Sequence, residues 1–353
     1  MDLQSVRLNE LLWVDVNQDQ SCFVVGTEFG FRVYTLDPFK LTFQRSFEGA
    51  GGLGIVSMLY RSNILALVGG GRNPRFQPHK VILWDDRHPR PIAELSFRTA
   101  VKSVRLRRDL VAVTIDGKVY VYRFSDLALL DHYETTSNPR GLCSLSGGER
   151  AVLVCPGLQA GKILVVFLDP KLTEASSSTA CRLKTTIITA HETPLAALGI
   201  SFDGSRIASA SEKGTLVRVF DSSTGDQTQE FRRGVDRADI YCLCFSMACE
   251  WLAVSSDKGT VHLFALRKAV NAKSSLSFLG GVLPAYFNSE WSFAQLRVPD
   301  YRSVCAFGAD PFTLVILTAD GGYYKAKFDP VLGGEMTRVD FARFDSAPAS
   351  VSP

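Results

Sequence analysis

The chain has 353 residues, 46% of them apolar and 21% charged, with a net charge of +3. That composition excludes a disordered chain and supplies a real core, and the length fits one large domain or two ordinary ones. So small a net charge excludes a surface made throughout for nucleic acid, so any basic function must be local.

At the N-terminus, "MDLQSVRLNELLWVDV" carries early acidic residues and no continuous apolar h-region, so it does not read as a signal peptide. Nowhere do about 18 apolar residues run unbroken, which leaves membrane contact as peripheral. The eight cysteines fall mostly inside apolar runs such as "YCLCFS", with no C-x-x-C pair and no zinc spacing. They read as buried, reduced thiols.

From the first tens of residues onward a unit recurs: a β-rich run, a Gly-containing turn, and a second β-rich run. The second runs are "GFRVYTLDP" from Gly30, "KVILWDD" from Lys80, "KVYVYRF" from Lys118 and "KILVVFLD" from Lys162. They continue with "GTLVRVFD" from Gly214, "GTVHLFA" from Gly259 and "GYYKAKFD" from Gly322, which makes seven. Upstream partners such as "ILALVGGG", "LVAVTIDG" and "WLAVSSDKG" supply Val, Ile, Leu and Phe, and the Gly at each junction suits a tight hairpin. Most units start about 38–53 residues apart, the length of a four-stranded blade. The predicted fold is all-β, a seven-bladed β-propeller of WD-repeat type, spanning 1–345 as one domain with a short flexible tail at 346–353. The "LWDD" at 83–86 matches the Trp-Asp dipeptide of WD repeats once. Either the region of Leu3 to Leu8 or "MTRVDFARF" at 336–344 supplies the edge strand that closes the ring.

Several segments along the way need a reading of their own. "VGGGRNPRF" at 68–76 lacks the Gly-Lys-Ser/Thr end of a phosphate loop and reads as a connector. "KSVRLRRDL" at 102–110 reads as a solvated strand face. His191 in "TAHETPL" reads as a structural histidine of its own blade, marginal to a site. The remaining His79, His88 and His132 form no ligand or triad pattern. With no paired carboxylates, nucleophile motif or metal cluster, an enzyme is not expected and no cofactor or metal is implied.

"FRRG" at 231–234 stands between two near-copies, "SEKGTLVRVF" and "SSDKGTVHLF". In an extended backbone successive side chains diverge, so Arg232 and Arg233 point to different neighbours. On one side lie Ser211, Lys213, Gly214, Thr215 and Arg218, on the other Ser256, Lys258, Gly259, Thr260 and His262. Hydroxyls, turn amides and cations are the inventory of an anion pocket, and Gly234 permits a sharp exit or a close approach by phosphate. Thr215 and Arg218 are three apart but Thr260 and His262 two apart, so the first pocket needs a bulge or turn beside Thr215, or an Arg218 that reaches from elsewhere. Taken alone, paired arginines make a solvated turn, and the Ser and Thr residues stabilise hairpins.

Between Gly259 and Gly322 the spacing exceeds the rest by roughly twenty residues, in an insertion at about 267–287. It carries Leu276, Phe278, Leu279, Val282, Leu283, Tyr286 and Phe287, with Arg267, Lys268 and Lys273 before them. Tyr286, Phe287 and Trp291 read equally well as the start of the next strand and part of the core.

The "FRRG" between "SEKGT" and "SSDKGT", together with "NQDQSCFVVGTEFGFRVY", "KVILWDD", "NPRGLC" and "CAFG", resembles the PROPPINs. These are phosphoinositide-binding β-propellers that include the WIPI proteins of autophagy, and the likeness, closest to the shorter WIPI3- and WIPI4-like members, covers nearly the whole chain. The resemblance implies binding of phosphatidylinositol 3-phosphate and phosphatidylinositol 3,5-bisphosphate at two rim sites. Residue by residue, the first would use Ser211, Lys213, Gly214, Thr215, Arg218 and Arg232, and the second Arg233, Gly234, Ser256, Thr260 and His262. It further implies bilayer insertion by Leu276, Phe278, Leu279, Val282 and Leu283, worth about 1.5–3 kcal/mol for each buried side chain. A lipid-transfer protein of autophagy as partner, contacted by Arg72, Arg75 and Lys80, is part of the same implication. So is a cytoplasmic monomer, without nucleic acid, sitting peripherally on pre-autophagosomal, endosomal or vacuolar membranes. The alternative is a protein-interaction scaffold propeller without lipid binding.

Overall fold

The computed structural model describes residues 10–169, 182–266 and 290–345. Among them every regular element is a strand, and the strands form seven sheets. Each sheet is a blade built on four antiparallel strands taken in sequence order, at 11–46, 53–96, 101–134, 144–189, 195–232, 240–297 and 303–343, and the fifth and sixth sheets each gain one short parallel strand at the outer edge. The seven β-rich second runs are the third strands of these blades.

Burial explains why those runs are so apolar. The second strand of a blade packs against a neighbouring blade on both faces, so Cys22–Thr27, Leu110–Ile115 and Trp251–Ser256 are buried at every position. Outer strands have one wet face, and Lys40–Ser46 accordingly alternates exposed and half-buried residues. The core is therefore a ring of apolar clusters in the seams between blades, with blades 5 and 6 sharing Val217, Val219, Phe231, Leu252, Val254 and Phe264.

Blade 7 takes its outer strand, Thr337–Arg343, from its own stretch of chain, so the described ring closes through side chains between blades 7 and 1. Tyr323 donates from its hydroxyl to the Leu36 carbonyl at 2.9 Å, and Lys325 pairs with Asp37 at 2.6 Å. Phe23, Tyr34 and Phe344 stack or meet edge-on along the same seam. A second closure lies in the "NQDQS" turn of blade 1. Gln18 Nε2 donates to the carbonyls of Met58 and Leu106 at 2.7 and 2.8 Å, in blades 2 and 3. Gln20 Nε2 donates to the Phe245 carbonyl at 2.8 Å and its Oε1 accepts from the Phe307 amide at 2.6 Å, in blades 6 and 7. Leu3 and Leu8, the other expected source of an edge strand, lie outside the described residues.

The basic run at 102–110 departs from its expected solvated face. Val101–Leu106 is the innermost strand of blade 3, where Arg105 pairs with Asp15 of blade 1 at 3.1 Å. Arg107 is buried, donating to the carbonyls of Ser146 at 3.1 Å and Glu149 at 2.8 Å. These arginines are structural because a propeller must pair the carbonyls of its inner connectors, a demand that strand alternation alone does not reveal. The segment at 68–76 is a connector, as its composition predicts, between Ile64–Gly69 and Lys80–Asp85. In it the Arg75 guanidinium lies over the Phe47 ring at 4.9 Å, and Lys80 pairs with Glu94 at 2.6 Å. The seven described cysteines are free thiols.

Candidate functional site

The turns joining the second and third strands of blades 5 and 6 carry the repeated sequence, and register shows how they differ. In blade 6, Asp257, Lys258 and Gly259 link Ser256, the end of one strand, to Thr260, the start of the next. In blade 5 the link from Ser211 to Leu216 also includes Thr215, so it is one residue longer. The extra residue moves Arg218 onto the rung opposite Ser209, which is the rung His262 occupies opposite Val254 in blade 6. Of the two arrangements the spacing allowed, the structure has the turn beside Thr215.

Cross-strand partners share a face, and faces alternate along a strand. Phe231 and its partner Val217 pack into the cluster shared with blade 6. Arg218, its partner Glu230, and Arg232, which pairs with Leu216, therefore lie on the opposite face, toward blade 4. In blade 6, Leu252, Val254 and Phe264 belong to the shared cluster, so Ser256, Thr260 and His262 face blade 5. Two seams result, one on each side of blade 5, with one arginine of the pair assigned to each.

Arg233 lies just past the strand Gln227–Arg232. Its amide donates to the Thr215 carbonyl at 2.9 Å, its Nε to the Gly214 carbonyl at 3.0 Å, and another guanidinium N–H to the Asp236 carbonyl. The carbonyls of Gly214 and Thr215 thus serve the arginine of the second seam. Arg233 is 7% exposed and makes no ion pair among the described residues. Burial lowers its pKa, while Asp257 and Asp236 act in the opposite sense. Beside it, burial and then the Arg233 charge push the His262 ring down to about 4, so the ring is neutral at physiological pH. His262 Nδ1 is buried without a hydrogen-bond partner among the described residues, and the ring stacks toward Phe264 with centroids 6.3 Å apart. A buried guanidinium bonded to neutral carbonyls, next to an imidazole with an unsatisfied nitrogen, is an anion-seeking arrangement.

The first seam is compensated from within. Arg218 Nε donates to Glu230 Oε2 at 2.8 Å and its Nη1 to the Ala190 carbonyl at 2.5 Å. His191 lies 2.9 Å from Ser209 Oγ, in the manner of a histidine serving its own blade, and burial followed by the Arg218 charge lowers its pKa to about 4. Lys213 is exposed, 3.6 Å from Glu192. Sequence reasoning missed Glu230. Its position two residues before Arg232 puts it on the same strand face, but only the register reveals that it faces Arg218.

Two turn glycines are obligatory. Gly214 has φ +64°, and a Cβ there would stand 1.8 Å from the Ala238 carbonyl oxygen. Gly259 has φ +62°, with Asp300 Oδ1 at 2.0 Å from the same hypothetical atom. A side chain at Gly234, by contrast, would meet nothing within 4 Å, and its backbone is not left-handed. Neither packing nor a left-handed turn therefore requires a glycine at this position.

Leu276, Phe278, Leu279, Val282 and Leu283 lie outside the described residues, as do Tyr286 and Phe287. Trp291 is described, and it is not core. Glu290–Trp291 adds a short parallel strand to the outer edge of blade 5 against Phe231 and Arg232, leaving the indole 59% exposed. The connector returns along the edge of the preceding blade, so the aromatic points outward instead of into a seam.

Comparison with known proteins agrees with this architecture. The PROPPIN family model matches residues 11–339. Autophagy-related protein 18e of Arabidopsis thaliana is 37% identical over 345 residues, covering 96% of this chain and 88% of the relative. The structure of Kluyveromyces lactis Hsv2 superposes with a TM-score of 0.78 at 25% identity, over 95% of this chain and 99% of that one. That of KlAtg21 in complex with the coiled-coil of AgAtg16 gives 0.75 at 23% identity, over 95% and 99%, and shares the fold.

Proposed function

Because the chain belongs to the PROPPIN family, we propose that it is a peripheral membrane adaptor of autophagy that reads phosphoinositides through the two seams of blade 5. The observation that carries this reading is the divergence of Arg232 and Arg233 onto opposite faces, each seam adding a serine and a buried neutral histidine to its arginine. Arginine's planar fork suits bidentate contact with phosphate oxygens. The ligands are phosphatidylinositol 3-phosphate and phosphatidylinositol 3,5-bisphosphate. The second seam binds the more tightly, since Arg233 has no carboxylate partner among the described residues whereas Arg218 has Glu230.

Two weak sites on one membrane act multivalently, because binding at one raises the effective concentration at the other. The apolar residues from Leu276 to Leu283 add insertion into the bilayer. The adaptor acts on pre-autophagosomal, endosomal or vacuolar membranes and recruits a lipid-transfer protein. Support for a protein partner comes from KlAtg21, whose structure is of a complex with a coiled-coil.

Flotation with liposomes that contain or lack phosphatidylinositol 3-phosphate tests the reading. Wild type floats with the phosphoinositide vesicles and Arg232→Thr/Arg233→Thr does not. Equal flotation of the two proteins defeats the proposal and leaves the scaffold reading.

A further inference from the structure

The largest exposure of apolar side chains among the described residues is in blade 7. Val331 and Leu332 are 82% and 83% exposed, side by side, in the connector between the third and fourth strands of blade 7. Exposed apolar residues are common singly; an adjacent pair on a rigid tip is not.

The tip is held at both ends. Phe328 before it and Met336 after it are buried in the cluster shared by blades 6 and 7. Within it, Asp329 Oδ1 accepts from the amides of Val331 at 2.8 Å and Leu332 at 2.9 Å. The Gly333 amide donates to the Asp329 carbonyl at 3.1 Å and the Gly334 amide to the Phe293 carbonyl at 2.9 Å. Gly333 adopts φ +64°, and a Cβ there would sit 2.3 Å from the Phe293 carbonyl oxygen. The turn therefore has its amides satisfied internally while its two aliphatic side chains face outward. An element entering hydrocarbon needs that combination, since unpaired amides are costly there and a preformed turn has little order left to gain.

Its placement joins it to the proposed membrane face. Gly334–Glu335 adds a short parallel strand to the outer edge of blade 6, against Ala294 and Gln295. Gln295 pairs in turn with His262 of the second seam. The construction repeats one blade along what Glu290–Trp291 does on blade 5, where the connector of blade 6 lies on the edge beside Arg232. Both edge strands thus lie on the outer edges of the two blades that flank the second seam, Glu290–Trp291 on blade 5 and Gly334–Glu335 on blade 6.

We propose that Val331 and Leu332 form a second membrane-inserting element, entering the apolar layer of the bilayer while the seam of Arg233 and His262 holds a headgroup. The inference rests on the phosphoinositide reading above. The test uses the full chain as wild type, Val331→Ser/Leu332→Ser and Arg232→Thr/Arg233→Thr. Each is measured for flotation with phosphatidylcholine vesicles bearing phosphatidylinositol 3-phosphate and for calorimetric binding of soluble inositol 1,3-bisphosphate. The serine variant is expected to lose about tenfold or more in vesicle affinity while keeping its soluble-headgroup affinity. Unchanged vesicle affinity in the serine variant overturns the inference. So does an equal loss of soluble-headgroup binding, which would mark a folding defect, or a dimer in wild type that the serine variant abolishes in sedimentation, which would make a second copy the occupant. If the arginine variant floats like wild type, the headgroup reading fails on its own, whatever the serine variant does.

Discussion

Lowering the pH should tighten headgroup binding at the second seam, and His262 is the reason. Its ring is held down to about 4 by burial and by Arg233, below the ordinary value of 6.5. Without ligand, the unfolded chain takes up a proton between pH 6.5 and 4 that the folded chain refuses, so stability falls across that window as pH drops. A bound phosphate dianion supplies the missing counter-charge and draws the ring back up. If the bound value returns to about 6.5, binding and protonation are linked, and affinity at pH 5.5 exceeds that at pH 7.5 by about tenfold. The headgroup's own second ionisation near 6 acts on every variant equally, so the informative quantity is the ratio of wild type to His262→Ala. The charge that acts on the ring is Arg233, which in turn has Asp257 and Asp236 near it. Calorimetry with inositol 1,3-bisphosphate at several pH values gives the ratio directly. Parallel pH profiles for wild type and His262→Ala would refute the linkage and remove the histidine from the anion's contacts.

Three further outcomes follow from the geometry. Glu230→Gln frees Arg218 from its 2.8 Å partner and should strengthen binding at the first seam about threefold to tenfold, read by titrating headgroup into a protein carrying Arg233→Thr. Gly214→Ala forces a Cβ against the Ala238 carbonyl in a left-handed turn, and urea denaturation should show a loss of about 2–3 kcal/mol. Headgroup binding should weaken with it, because the Gly214 carbonyl positions Arg233. Gln20→Ala unpairs the Phe245 carbonyl and the Phe307 amide at the ring closure, and equilibrium unfolding should register about 2–3 kcal/mol of destabilisation with headgroup affinity unchanged.

Much of the fold was legible because a propeller writes its second and third strands as apolar runs. Cys22–Thr27 and Trp251–Ser256 are buried on both faces, and Gly30 and Gly259 mark their hairpins with positive φ. Fourth strands were less readable. Lys40–Ser46 and Arg90–Ser96 are largely exposed and polar, and resemble loops in a linear reading. The basic run at 102–110 misled for the complementary reason, since its arginines are absorbed by carbonyls of blade 4 and a carboxylate of blade 1 that no local pattern announces. Trp291 read equally well as part of the insertion or as the start of a core strand, and its placement on the blade 5 edge turned it outward.

By itself the sequence determined the number of blades, the phase of each hairpin and the place of the arginine pair, because these depend on local alternation and on turns that only glycine completes. Tertiary structure decided what the arginines face. One extra residue in the turn at Thr215 sets Arg218 on the rung of His262, and the pairing with Glu230 then compensates Arg218 in one seam while Arg233 in the other makes no ion pair among the described residues. Register between strands and packing between blades join residues far apart in the chain, and the charge left over in each seam exists only after both are fixed.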